Sequence, residues 1–211
     1  MSDVEPFVQL RDSLEELCLW GSEGDFCDPS AILCRFPESF LALTKLQSLA
    51  LCQQLGIEAI PAGISNLRKL KELFVVGCDL GSLPKELGAL SQLEVLDVGE
   101  NKALGTAPND VAFPSKLKGL TSLRQLHLDE CGLRRVPAFV RVLSSLEDIL
   151  LFDNEHLQID APLDYLIECY PRLCVVKMKK KRGRWTPTSQ AHLEAFKAKL
   201  LKKNPSAEVE F

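Results

Sequence analysis

Asp97, His127 and Asp129 are residue types that exchange or hold protons, and Glu100 and Glu130 stand beside them in the chain. Two carboxylates and an imidazole could do general acid–base chemistry if a pocket excluded water and a nucleophile stood within reach. His127 and Asp129 are two apart, the period of one face of an extended strand, and an open strand face is not such a pocket. No serine or cysteine is placed to complete a triad. These groups are therefore expected to recognise a partner, and the chain is not expected to be an enzyme.

The eight cysteines contain no Cys-x-x-Cys pair, and His127, His156 and His192 are scattered, so neither a zinc site nor any cofactor is expected. The N-terminus, MSDVEPFVQLRDSLEEL, is acidic and broken rather than basic and then apolar. Free thiols and a cytoplasmic, intracellular location are the expectation. No apolar run approaches the roughly 18 residues of a membrane span. A net charge of −4 argues against a nucleic-acid partner. The run KMKKKRGR, residues 177–184, could touch phosphate or an acidic membrane, but a soluble edge on the last strand is the plainer expectation.

The elements that must position the charges are written as a repeat. In residues 70–84, LKELFVVGCDLGSLP, an apolar frame places Leu70, Leu73, Val75, Cys78, Leu80 and Leu83 at positions 1, 4, 6, 9, 11 and 14. Units that fit it start at Leu14, Leu46, Leu70, Leu93, Leu123, Leu146 and Leu173. Positions 4 and 6 turn to a core, while 3, 5 and 7 face the other way. After each Leu-Pro step an apolar residue recurs every third position, which suits a short extended or 3₁₀-like return. Extra residues fall between positions 9 and 14, making edge loops at about 23–35, 102–112 and 155–162. Position 9 carries Ser22, Gln54, Cys78, Asn101, Cys131 and Asn154, small or polar groups that can satisfy the turn backbone as a ladder.

Such coils bury their apolar faces only by stacking, with covered ends. Residues 1–13, with Pro6, Phe7 and Leu10, are expected to form an N-terminal cap, 14–180 the repeats, and 181–211 a basic linker, a capping helix and a short tail. Thr186-Pro187 starts the helix, Leu193, Phe196 and Leu200 give its apolar face, and Asn204-Pro205 stops it. The ending EVEF also resembles ligands of carboxylate-capturing PDZ domains.

The spacing Leu-x-x-Leu-x-Leu-x-x-(Asn/Cys)-x-Leu-x-x-Leu-Pro resembles the leucine-rich repeat. LPKELGALSQL and IPAGISNLRKL are most similar to intracellular Ras-group and Ras-suppressor-like repeats, and also to the repeat portions of plant immune receptors. The resemblance implies an α/β solenoid: a curved, right-handed coil of about seven repeats, with a parallel β-sheet on its concave face, acting in protein recognition. Only Asn101 and Asn154 carry asparagine at position 9, and three units carry long insertions, so the chain is a divergent example.

On the free face, column 5 reads Cys18, Ala50, Phe74, Asp97, His127, Leu150, Lys177, and column 7 reads Trp20, Cys52, Val76, Gly99, Asp129, Phe152, Lys179. Apolar groups beside charges are how interaction sites are commonly built. The expected partner-binding residues are Trp20, Phe74, Val76, Asp97, Glu100, His127, Asp129, Glu130, Leu150, Phe152 and Asp153. They imply a protein partner with basic and apolar surface, with a small GTPase or another signalling protein as candidate classes, bound by a monomeric adaptor. The alternative is a structural subunit held through its basic C-terminal end and edge loops.

Overall fold

A computed structural model describes residues 10, 12–21, 33–180 and 184–211. Its strands are β1 (Glu16–Trp20), β2 (Ser48–Cys52), β3 (Glu72–Phe74), β4 (Val95–Asp97), β5 (Gln125–His127), β6 (Asp148–Leu150), β7 (Val175–Lys177) and β8 (Glu208–Glu210). They form one parallel sheet in sequence order.

The repeat frame sets the register. Position-4 residues pair strand to strand, Leu49 with Leu73, then Leu96, Leu126, Ile149 and Val176, and all of these are fully buried. The position-6 residues Leu51, Val75, Val98, Leu128, Leu151 and Met178 are equally buried. A slip of one residue would turn both rows to solvent, and burying each such side chain is worth roughly 1.5–3 kcal/mol, so the register is held strongly.

Each return begins at a proline with extended backbone and continues as a 3₁₀ turn: Glu38–Ala42, Ala62–Asn66, Lys85–Ala89, Ser115–Gly119 and Ala138–Val142. The sixth unit has Asp164 in place of proline and forms a true helical turn there. The helices are α1 (Asn109–Ala112), α2 (Asp164–Cys169) and α3 (Pro187–Lys203).

The position-9 ladder is present. Asn154 Oδ1 accepts from the amides of Cys131 and Leu133 at 3.1 and 2.8 Å, and Nδ2 donates to the carbonyls of Leu128 and Leu151. Asn101 does the same between Leu80, Val75 and Val98. Cys78 and Cys131 give their thiols to the carbonyls of Leu51 and Val98. Gln54 accepts from the Leu33 amide at 2.7 Å, while Ser22 lies outside the described residues.

Two edge insertions are packed rather than loose. The 102–112 insertion holds α1 and buries Leu104 and Ala112, followed by Phe113 stacked on Phe139 at 5.9 Å. The 155–162 insertion buries Leu157 and Ile159; the Ile159 amide donates to Ser189 Oγ, and its carbonyl meets His192 Nδ1 at 2.9 Å. Most of the 23–35 loop, with Pro6 and Phe7, falls outside the described residues, and Leu10 is exposed.

The C-terminus corrects the sequence reading. α3 is capped by Thr186, whose Oγ1 accepts from the Ser189 amide, and it buries Leu193, Phe196 and Leu200 over the last coil as expected. The chain then adds β8, an eighth strand, in place of a free tail. Val209 pairs with Val176 and is buried, and Phe211 packs 6.3 Å from Phe196, so this end is not displayed as a carboxylate-capture ligand. β7 is consequently interior, and its basic run does not blunt an edge: Lys177 Nζ pairs with Glu208 at 2.6 Å. At the true edge the Val209 carbonyl is capped by Lys197 Nζ at 3.1 Å.

Candidate protein-binding face

Column 5 is realised residue by residue: Cys18 opposes Ala50, then Phe74, Asp97, His127, Leu150 and Lys177 follow in register. Its first half is a groove of about 800 Å³. Leu17, Ala50 and Cys52 make part of the lining, Trp20, Phe74 and Val76 supply apolar walls, and Asp97 and Glu100 close the acidic end. Trp20 is 71% exposed, an unusual cost for a large aromatic that other groups do not cover among the described residues.

The acidic end is built by the strands and turns together. His127 Nδ1 lies 3.0 Å from Asp97 Oδ2, so the imidazole donates to the carboxylate, while Asp97 Oδ1 accepts from the Gly99 amide at 3.0 Å. Gly99 leaves room for the Asp129 carboxylate, whose oxygens would lie 3.0 Å from a Cβ at that position. Burial pushes the Asp129 carboxyl up to about 6, and the charges of Asp97 and Glu100 add to the rise. Burial raises the thiols of Cys78 and Cys131 to about 11 and about 12, so these ladder cysteines are structural and unreactive.

One feature of this face was not read from the sequence. At position 8 the backbone turns left-handed in successive units: Gln53 at φ 56°, Gly77 at 60°, Glu100 at 60°, Glu130 at 47° and Asp153 at 55°. Gly77 suits that conformation and Asp153 tolerates it, while it costs Gln53, Glu100 and Glu130 roughly 1–2 kcal/mol each. Three carboxylates stand there nevertheless, each aimed by a strained turn beside the face. Gly77 in the column was the one available signal.

Of the expected residues, Trp20, Phe74, Val76, Asp97 and Glu100 share the groove. His127 joins them through Asp97, and Asp129 through Gly99. Glu130, Leu150, Phe152 and Asp153 lie further along the same face, half-buried, outside the groove lining.

No protein-family model matches the sequence. Among curated proteins the chain is similar to TMV resistance protein N of Nicotiana glutinosa, with 31% identity over 138 residues, 54% of this chain and 12% of that protein. It is also similar to plant intracellular Ras-group-related LRR protein 8 of Oryza sativa subsp. japonica, with 33% identity over 101 residues, 46% of this chain and 25% of that protein. Among solved structures, a TDR receptor superposes with TM-score 0.54 and 25% identity over 75% of this chain and 27% of its own. The chain is a leucine-rich-repeat solenoid. A second solved structure, plant peptide hormone receptor RGFR1 in complex with RGF2, shows the same fold at TM-score 0.51 and 22% identity, covering 72% of this chain and 26% of that one. The solenoid thus spans a quarter or less of the curated relatives it matches. Among its described residues no helix is long and apolar enough to cross a membrane.

Proposed function

We infer that this leucine-rich-repeat solenoid is a non-catalytic protein-recognition module whose concave face grips a partner segment carrying a basic group beside an apolar one. The observation that carries this reading is the groove itself, with apolar walls at Trp20, Phe74 and Val76 running directly into Asp97 and Glu100, and with the Asp129 carboxylate just beyond, against Gly99. An apolar side chain buried there is worth roughly 1.5–3 kcal/mol. A lysine or arginine meeting partly desolvated carboxylates adds charge-assisted hydrogen bonds of about 1.5–3 kcal/mol each. Phe152 and Asp153 extend the contact along the sheet.

Relatives named as a resistance protein and a Ras-group-related protein, and a neighbour described with a bound peptide hormone, support a protein partner. A small GTPase or another signalling protein remains the proposed class, with the chain acting as an adaptor. Six cysteines that are free among the described residues, Cys18, Cys52, Cys78, Cys131, Cys169 and Cys174, fit a reducing, intracellular setting. Catalysis has little support, because the described contacts of His127 include no serine or cysteine and the groove is open. The alternative of a structural subunit held through a basic C-terminal end has less to work with, since Lys177 is paired with Glu208 and Lys180 lies 4.0 Å over the Trp185 ring.

The test is capture of partners from source-cell lysate by wild type and by an Asp97→Lys, Asp129→Lys, Phe152→Ala variant shown to be folded by circular dichroism. A protein retained by wild type in a salt-sensitive way and lost by the variant supports the reading. Identical retention by both baits contradicts it.

A further inference from the structure

On the insertion edge of the solenoid, away from the groove, two adjoining cavities of about 280 and 350 Å³ share Arg135, Gln158 and Asp160. Together they form a trough lined by four basic side chains, Arg134, Arg135, Arg141 and His156, against one carboxylate, Asp160. In a chain of net charge −4 this balance runs against the whole molecule. The repeat does not require it either. Where the fifth unit has Arg134-Arg135, the second has Glu58-Ala59 and the third Gly81-Ser82, and Arg141 matches Ser65 and Gly88 in those units' returns.

The walls are fixed. The Gln158 amide donates to the Arg134 carbonyl at 3.0 Å, tying the 155–162 insertion to the arginine turn. From behind, Ser189 holds both ends of the bend, accepting from the Ile159 amide and hydrogen-bonding Gln158 Oε1 at 3.2 Å. Arg141 is laid over the Tyr165 ring, 4.8 Å from its centre. By contrast the charges are underused. Arg135 reaches Asp160 only at 3.5 Å with both side chains largely exposed, and Arg134 and His156 form no ion pair among the described residues. A trough whose backbone is pinned and whose guanidinium donors are unspent suits oxyanions, which arginine grips in bidentate fashion.

We propose that this trough is a second binding site, separate from the concave face, that takes the oxyanion side chains of an acidic peptide segment. Carboxylates and phosphoserine offer the same chemistry to the arginines, and two cavities that share Arg135, Gln158 and Asp160 fit a run of side chains better than a single free ion. Asp160 sets the limit on affinity, because it competes for Arg135.

The test uses fluorescence anisotropy of the full chain with three short labelled peptides: glutamate-rich, phosphoserine-containing, and neutral of the same length. The proposal expects one or both anionic peptides to bind at least about tenfold more tightly than the neutral one, and to weaken as salt rises. Arg134→Glu with Arg135→Glu should abolish that preference, Asp160→Asn should strengthen it about two- to threefold, and Asp97→Lys should leave it unchanged. Tighter binding of the glutamate peptide would identify a carboxylate-bearing source, and of the phosphopeptide a phosphoryl one. The proposal is overturned if neither anionic peptide outcompetes the neutral one, or if the double charge reversal binds them as well as wild type while its circular dichroism is unchanged.

Discussion

Asp97 and His127 are direct register partners on β4 and β5, their Oδ2 and Nδ1 atoms 3.0 Å apart, and this pair stands where the apolar groove walls give way to the acidic groups. Asp129, two residues beyond His127, pays for the arrangement in stability. Its folded value of about 6 lies above its ordinary value of 3.8, so the folded state holds an extra proton between those values. The stability that this proton contributes is present below pH 4 and is lost as pH rises through 6. Asp129→Asn should therefore raise stability at pH 7 by about 1 kcal/mol, allowing for solvent screening, and change it little at pH 4. Urea unfolding of both proteins at several pH values checks this, and a variant less stable than wild type at pH 7 would contradict it.

Strain at position 8 predicts a second gain. Glu130→Gly relieves a left-handed backbone at φ 47° and should add about 0.5–1 kcal/mol, the net of strain released and chain entropy lost. Gly77→Ala, at φ 60°, should lose about 1–2 kcal/mol. Chemical denaturation midpoints with unchanged slopes would establish both.

The ladder predicts a large loss. Asn154→Ala leaves two buried amides and two carbonyls without a side-chain partner and should cost at least about 3 kcal/mol. A loss under about 1 kcal/mol in equilibrium unfolding would mean that water replaces the side chain.

Most of the fold was legible because it rests on a one-dimensional rule. Leu73, Leu96 and Leu126 had to share a face, and Asn101 and Asn154 had to serve the turns between strands. The concave columns followed from the same rule, so Phe74, Asp97 and Asp129 were found together. What escaped depends on contacts remote in sequence. The exposed–buried–exposed pattern of Glu208, Val209 and Glu210 is too short to announce a strand without Val176 beside it. The trough needs α3 to pin the 155–162 insertion, and no spacing within one repeat encodes that. The left-handed turns escaped because glutamate occupies places where glycine would have given the signal.

Tyr170 predicts an indifferent or favourable change. Its ring is fully buried, and its hydroxyl has no partner of hydrogen-bond geometry among the described residues. Tyr170→Phe removes an unmet donor and should leave stability unchanged or raise it by up to about 1 kcal/mol. A thermal midpoint several degrees lower would show that the hydroxyl is satisfied in solution.

Whether the concave groove reads a basic group beside an apolar one is decided by selection from a random peptide library on the immobilised solenoid. The enriched peptides should place arginine or lysine within a few residues of an aromatic or branched side chain, lose binding to folded Asp97→Lys, Asp129→Lys protein, and bind more strongly at pH 7 than at pH 5, where Asp129 is protonated. Enrichment without basic residues, or equal binding to the charge-reversed protein, would contradict it.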